Sequence, residues 1–292
     1  MKTLAEYIKE KRPSLGNSSI NTYTSILRSL YKKIYGNEEM DFDKFDNHVT
    51  ILDYLKDLPC NKRKTILSAL VIITNNKHYR DQMLEDVRDY NKEISKQEKS
   101  EAQEENWVSQ TEVNDMFNNL KKASNLIYKK ENKTNNDLQL LQNFIIMALF
   151  TLIAPRRSKD YCDFKIKNID KEKDNYMVKG KFIFNSYKTA KTYGTQEVSI
   201  PKELASIINK WIKINPTDYL LFDSNMNPLT SVKLNQRFEK IFGKKSGTNI
   251  LRHSFLTNKF GDTIEKEKQI NNTMTAMGSS SEMAKVYIKN DD

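Results

Sequence analysis

The chain has 292 residues, of which 38% are hydrophobic and 29% charged, and carries a formal charge of +10. Fourteen Tyr, thirteen Phe and two Trp supply the large apolar groups that a disordered chain lacks, so folded cores are expected. No apolar run approaches the ~20 residues of a membrane span, the N-terminus lacks the apolar stretch of a secretory signal, and two distant cysteines with three histidines exclude a disulfide scaffold and a Cys- or His-rich metal centre.

These features lead to the expectation of an intracellular, two-domain chain with no membrane contact and no metal. Its charge is uneven. Lys and Arg stand against Asp and Glu as 13 to 9 over residues 1–77, 5 to 9 over 78–106 and 30 to 20 over 107–292. Two basic lobes flank an acidic connector, which favours a polyanionic partner such as nucleic acid. Solvated lysines on an Asn- and Lys-rich surface are the competing explanation.

The first ~95 residues have helical periodicity. Asn17-Ser18-Ser19 offers an N-cap, and Ile20, Tyr23, Leu27, Leu30, Tyr31 and Ile34 follow at helical spacing until Gly36 stops the run. Further helices are expected over Val49–Leu58, ended by Pro59, over Asn61–Thr74, and over 78–98. The first turn of the third carries Lys62, Arg63 and Lys64, where cations oppose the helix dipole. An external anion such as DNA explains them, and ordinary surface cations explain them equally well. These boundaries predict a helical domain over 1–97, a polar linker over 98–106 and a second domain over 107–292.

In the second domain Ser109-Gln110-Thr111-Glu112 forms a capping box that opens a helix. Asp137–Ile153 is a strongly apolar, central helix. After Pro155 the period changes. Tyr176–Val178, Lys181–Ser186 and Gln196–Ile200 read as three short strands of a small antiparallel sheet, with Gly180 and Gly194 at turns. Helices return over Pro201–Ile214, Ser231–Phe242 and Asn249–Phe260, and a last one runs from Ser281 to the end. The predicted fold class is mostly α with one small antiparallel sheet.

Four segments carry candidate chemistry. Ala154-Pro155-Arg156-Arg157-Ser158-Lys159-Asp160 follows the apolar helix, where two arginines are costly unless an anion meets them. Tyr187-Lys188-Thr189-Ala190-Lys191-Thr192 lies between two strands. Ile250-Leu251-Arg252-His253-Ser254-Phe255 sets an arginine beside core residues. Met277-Gly278-Ser279-Ser280-Ser281 precedes Tyr287.

In this order and spacing the segments resemble the tyrosine recombinase, or phage integrase, family. Arg157 with Asp160 looks like the family's first arginine and the acid three positions later. Leu251-Arg252-His253-Ser254-Phe255 is close to the box of its second arginine. Lys188 resembles the hairpin lysine and is preferred over Lys191 because Tyr-Lys-Thr fits that hairpin better. Met277-Gly278-Ser279-Ser280 resembles the box before the nucleophile, which would then be Tyr287. The helical N-terminal region, with Ser19-Ile20-Asn21-Thr22-Tyr23, resembles the family's core-binding domain. The Asn/Lys-rich composition and the Ala-Pro-Arg-Arg variant point to a viral or virophage-type member.

The resemblance implies a site-specific recombinase that cuts and rejoins DNA through a covalent 3′-phosphotyrosine, without cofactor. It implies that the two domains close as a clamp on double-stranded DNA. It also implies a homo-oligomer: a tetramer on paired sites, and a monomer or dimer when free. The segment after Tyr287, Ile288–Asp292, is shorter than the one with which many relatives grip a neighbour. Arg157 and Arg252 would clamp the phosphate, since planar guanidiniums hold its oxygens bidentately. Lys188 would protonate the leaving oxygen. Arg156 and Lys191, with Lys62, Arg63 and Lys64, would contact DNA. The family's usual histidines are replaced by Asn249 and Ser279, which with His253 would serve as auxiliary phosphate contacts. Asn and Ser hydrogen-bond a phosphate but do not shuttle protons near neutral pH. A catalytically degenerate DNA-binding protein on the same fold, and a type IB topoisomerase-like enzyme, are therefore alternatives.

Overall fold

The computed structural model describes residues 2–289. Residues 290–292, the end of the expected last helix and of the segment after Tyr287, lie outside the described residues. The chain divides into two compact units between Lys99 and Ser100.

The first unit is helical throughout. Helix α1 (Leu4–Lys11) starts under a capping box of Thr3 and Glu6. Helix α2 (Asn17–Tyr35) begins one residue earlier than a side-chain cap at Asn17 would require. Gly16 is its N-cap, without a side-chain bond, and Gly36 ends it at φ +72°. A 3-10 turn (Phe42–Asp46) leads to α3 (His48–Leu55), α4 (Cys60–Thr74) and α5 (Lys77–Ser95). Ile8, Leu27, Phe45, Ile51, Leu55, Leu67, Leu70 and Tyr79 are fully buried among these elements. Each such aliphatic contributes roughly 1.5–3 kcal/mol. The buried Tyr79 hydroxyl donates to the Phe45 carbonyl at 2.8 Å.

The segment expected to be a linker is partly helical. Helix α6 (Glu101–Asn106) is closed by a capping box of Ser100 and Gln103. Local capping and the Glu/Ala/Gln composition suffice for a helix without an apolar face. Asn106 Oδ1 accepts from the Lys245 N–H at 2.9 Å, which ties α6 to the second unit.

Helices α7 (Gln110–Tyr128) and α8 (Asn135–Thr151) pair at the centre of the second unit, each opened by a capping box. Phe144 to Phe150 of α8 are all buried, as a central helix apolar on every side requires. After α9 (Ser158–Cys162) come β1 (Phe164–Lys165), β2 (Asn175–Val178), β3 (Lys181–Phe184), α10 (Ala190–Tyr193) and β4 (Gln196–Ser199). The sheet order is β1-β2-β3-β4. It is mixed: β1 runs parallel to β2, while β2–β3 and β3–β4 are antiparallel. The expected three antiparallel strands are present. The fourth is two residues long, too short to carry a period. Helix α11 (Lys202–Ile212) anchors Trp211, whose indole N–H donates to the Leu220 carbonyl at 2.8 Å. Helices α12 (Ser231–Phe242), α13 (Thr248–Ala276) and α14 (Ala284–Tyr287) complete the unit. Helix α13 runs 16 residues beyond the expected end at Phe260, straight through Gly261. No helix among the described residues is long and apolar enough to cross a membrane.

Candidate active site

The end of α8 and the start of α13 meet at a cavity of about 330 Å³ lined by Ile153 to Arg157, Asp160, Tyr187, Thr189, Tyr193, Gln196, Val198 and Arg252. Two adjacent arginines and a third about ninety-five residues on thus share one hollow. Their states differ.

Arg156 is spent on the fold. Its Nε donates to Asp160 Oδ2 at 2.9 Å and its Nη1 to Gln196 Oε1 at 2.9 Å. Its guanidinium lies 3.9 Å from the Phe184 ring centre, a cation–π contact. Asp160 is 2% exposed. Burial pushes its carboxyl upward against the pull of Arg156 first, then of Arg157 and Arg252. The ion pair with Arg156 compensates this buried carboxylate. Arg156 therefore serves as a strut of the site, and the acid three positions after Arg157 in the motif is paired with Arg156.

Arg157 and Arg252 remain unspent. Arg157 is the exposed N-cap residue of α9 and makes no side-chain cap. Arg252 is half-buried on the first turns of α13. Neither guanidinium has a hydrogen bond or ion pair among the described residues. They are brought together by the Ser158 and Thr248 hydroxyls, 2.8 Å apart, which stitch the start of α9 to the start of α13. Thr248 is further held through its N–H and hydroxyl by Asn235 Oδ1 of α12, both at 3.1 Å.

Lys188 sits in the turn between β3 and α10, exposed and without a partner among the described residues. Its neighbours Tyr187 and Thr189 line the cavity, and Tyr187 Oη is tied to the Gly194 carbonyl at 2.7 Å. The turn is fixed from below by Asn175, which is fully buried on β2. Its Nδ2 donates to the Asp160 and Ser186 carbonyls (3.0 and 2.8 Å), and its Oδ1 accepts from the Asn185 and Ser186 N–H groups (2.9 and 2.8 Å). One amide thus couples the arginine segment to the lysine turn with its whole hydrogen-bonding capacity. Sequence reasoning missed Asn175. An Asn in a strand, where the residue is disfavoured, was the signal available.

The remaining sequence-derived candidates are not at this cavity. Asn249 and His253 are exposed on α13, Lys191 is exposed on α10, and none of the three lines the hollow. Ser279 follows α13, whose axis carries it on the order of 36 Å past Arg252 at 1.5 Å per residue. Tyr287 packs against the far half of α13, in an apolar groove with Ile270, Met274 and Met277, and is 58% exposed. The structure therefore unites the two free arginines beside the lysine turn and leaves the tyrosine elsewhere, because α13 does not break at Gly261. Two tyrosines do line the cavity: Tyr187, whose hydroxyl is taken by the Gly194 carbonyl, and Tyr193, 67% exposed and with no hydroxyl partner among the described residues.

In the first unit the cationic turn of α4 is largely satisfied internally. Arg63 meets the fully buried Asp86 of α5 through Nε (3.0 and 2.9 Å) and Nη2 (2.6 Å). The anion facing Arg63 is thus this buried carboxylate, where the sequence left an external anion and a solvated surface equally open. Lys64 lies over the Tyr90 ring, and of the turn's three cations Lys62 is the one that is exposed and unpaired among the described residues. No group of three or more His, Cys, Asp or Glu converges among the described residues to hold a metal.

No protein-family model and no curated protein matches the chain. Among solved structures it is similar to the XerH site-specific recombinase bound to palindromic difH substrate in a post-cleavage complex, at 15% identity and TM-score 0.48 over 88% of this chain and 72% of that one. It is also similar to a lambda integrase dimer bound to a COC′ core site, at 12% identity and TM-score 0.46 over 90% of this chain and 72% of that one.

Proposed function

We propose that this protein is a site-specific DNA strand transferase, a recombinase or integrase of the tyrosine type. The observation that carries the reading is the pair of unspent guanidiniums, Arg157 and Arg252, on one cavity whose acid is already neutralised by Arg156. Two uncompensated planar cations in one concavity fit the non-bridging oxygens of a phosphodiester, whose negative charge grows as phosphorus is attacked. Lys188, free beside the cavity, would protonate the leaving 5′-oxygen.

In the proposed step Tyr287 gives its phenol proton to solvent, its Oη attacks phosphorus, the P–O5′ bond breaks, and Lys188 gives a proton to O5′. The product is a 3′-phosphotyrosine and a free 5′-hydroxyl. Attack by a 5′-hydroxyl reverses the step, so no energy source is consumed. Arg157 and Arg252 hold the phosphate and stabilise the phenolate. The reading requires the segment after Gly261 to swing so that Tyr287 reaches the arginines. Gly261 is the residue in α13 with the greatest backbone freedom, and Leu256 and Phe260 before it are exposed, so little packing opposes the bend. Duplex DNA is the proposed partner, with recombination requiring several protomers on paired sites inside the cell. The viral or virophage-type origin stays part of this proposal, resting on composition and the Ala-Pro-Arg-Arg variant alone.

The test is a duplex nicked so that cleavage traps the enzyme. The expected result is a covalent protein–DNA adduct, lost in Tyr287→Phe and in Arg252→Gln. An adduct retained in Tyr287→Phe but lost in Tyr193→Phe would move the nucleophile to the cavity tyrosine. Salt-sensitive DNA binding with no adduct favours the second reading, a catalytically degenerate binder, which the distance of Tyr287 and Ser279 from Arg252 motivates. Relaxation of arbitrary supercoiled plasmid by monomer would favour a type IB topoisomerase. Absence of any DNA affinity at low salt would overturn all three.

A further inference from the structure

The second unit holds another concave polar site that strand transfer does not use. Gln139 and Asn143 of α8, Asp223, and Lys233, Arg237 and Lys240 of α12 line a cavity of about 360 Å³. Arg237 is built into its wall. Nη1 donates to the Gln139 carbonyl (3.2 Å) and Asn143 Oδ1 (3.1 Å), and Nη2 donates to the Phe222 carbonyl (3.1 Å) and Gln139 Oε1. All four acceptors are neutral. No carboxylate pairs with Arg237 among the described residues. The acid on this cavity, Asp223, is already engaged by Lys233 Nζ at 2.6 Å and by the Asn225 and Asn227 N–H groups.

Burial disfavours the Arg237 charge and pulls its pKa down, yet a guanidinium stays protonated. Four of its five N–H groups are occupied, leaving Nε–H. Lys240, one helical turn on, is exposed and unpaired among the described residues. Three cations thus face one acid. A desolvated cation whose neighbouring acid is shared with a lysine costs free energy, and here the cost is borne at the edge of an open cavity. The anion that would offset it has room to come from outside.

We infer that this cavity is an oxyanion site for a phosphate group, held by Arg237, Lys240 and the remaining donors of Lys233. Both Nη atoms of Arg237 are taken, so a planar carboxylate cannot dock on its fork. A tetrahedral anion satisfied by single donors from three side chains suits the geometry better. The phosphate belongs either to a free ion or mononucleotide, or to the backbone of a nucleic acid.

The experiment titrates the full chain with inorganic phosphate and with a mononucleotide by calorimetry in low-chloride buffer, using wild type, Lys240→Gln and Arg252→Gln. Lys240 is exposed, so its substitution leaves the fold intact. Saturable binding weakened about fivefold or more by Lys240→Gln and kept in Arg252→Gln supports the site and separates it from the strand-transfer cavity. Duplex titrations against salt then name the source. A slope reduced by about one in Lys240→Gln assigns the site to a backbone phosphate; an unchanged slope assigns it to a free phosphate. Identical phosphate binding and identical salt slopes in wild type and Lys240→Gln would overturn the proposal. Loss of the covalent adduct reading would leave it standing.

Discussion

Asn175→Ala tests whether one buried amide holds the lysine turn against the arginine segment. The side chain is fully buried and makes four hydrogen bonds of 2.8–3.0 Å, two given and two received. Removing it strands the N–H groups of Asn185 and Ser186 and the carbonyls of Asp160 and Ser186. At about 1 kcal/mol net per bond, and more where a buried group finds no water, the loss is about 4 kcal/mol. For a unit of this size about 1 kcal/mol shifts Tm by ~2–4 °C, so the second unit should melt roughly 10 °C lower. Scanning calorimetry reads this, with the two units treated as separate transitions. Asn175→Asp is the shape-conserving companion. It keeps both acceptor contacts but sets a carboxylate against two carbonyls, so it should cost at least as much. Both variants should also slow adduct formation on the nicked duplex, because the Lys188 turn loses its anchor. A Tm within 2 °C of wild type for Asn175→Ala, with unchanged cleavage, would refute the reasoning: the turn would then be held by its own strands.

Gly261→Ala fills open space, since a Cβ there meets nothing within 4 Å. It should stabilise α13 by about 1 kcal/mol and, if the segment must bend to deliver Tyr287, slow adduct formation without changing DNA affinity. Burial pushes the Cys162 thiol up to about 12, whereas Cys60 is half-buried. A disulfide reagent should therefore label one thiol quickly in the native chain and both after unfolding. The Asp137 carboxyl is held down to about 2, chiefly by Lys130 and then by Thr134. Its folded pKa lies below the ordinary value, so its stabilisation is present above about pH 4 and is lost as pH falls toward 2. The gap in urea midpoint between wild type and Asp137→Asn should close over that window; a constant gap would sink the assignment.

The helices were legible where apolar residues repeat at 3.6 spacing and a cap or glycine ends them, as in α2 and α7, or where the apolar run is itself long, as in α8. What local pattern does not encode was missed. β1 owes its existence to pairing with β2 and has no period in two residues. α6 is polar on every side and needs only its capping box. α13 continues through Gly261 because a single glycine costs about 1 kcal/mol, too little to stop a long helix. That last difference decides the position of Tyr287, so the weakest local signal controls the most distant catalytic candidate.

The site teaches a related point about charge. A sequence with ten excess cations gives no indication of which are free. Arg63 and Arg156 stood beside Lys62, Lys64 and Arg157 as equal candidates, yet Arg63 is spent on Asp86 and Arg156 on Asp160 and Gln196. Spent guanidiniums organise the fold; they have little left for a ligand. Arg157 and Arg252 have no partner among the described residues, and that condition, more than their number or spacing, is the ground for proposing the cavity they share as a place for a phosphate. The same criterion underlies the phosphate site proposed at Arg237, whose hydrogen-bond acceptors are neutral and whose neighbouring acid, Asp223, is already held by Lys233. If Arg157→Gln and Arg252→Gln leave duplex affinity and adduct formation unchanged while Lys62→Gln abolishes both, unmatched charge is the wrong guide to this molecule.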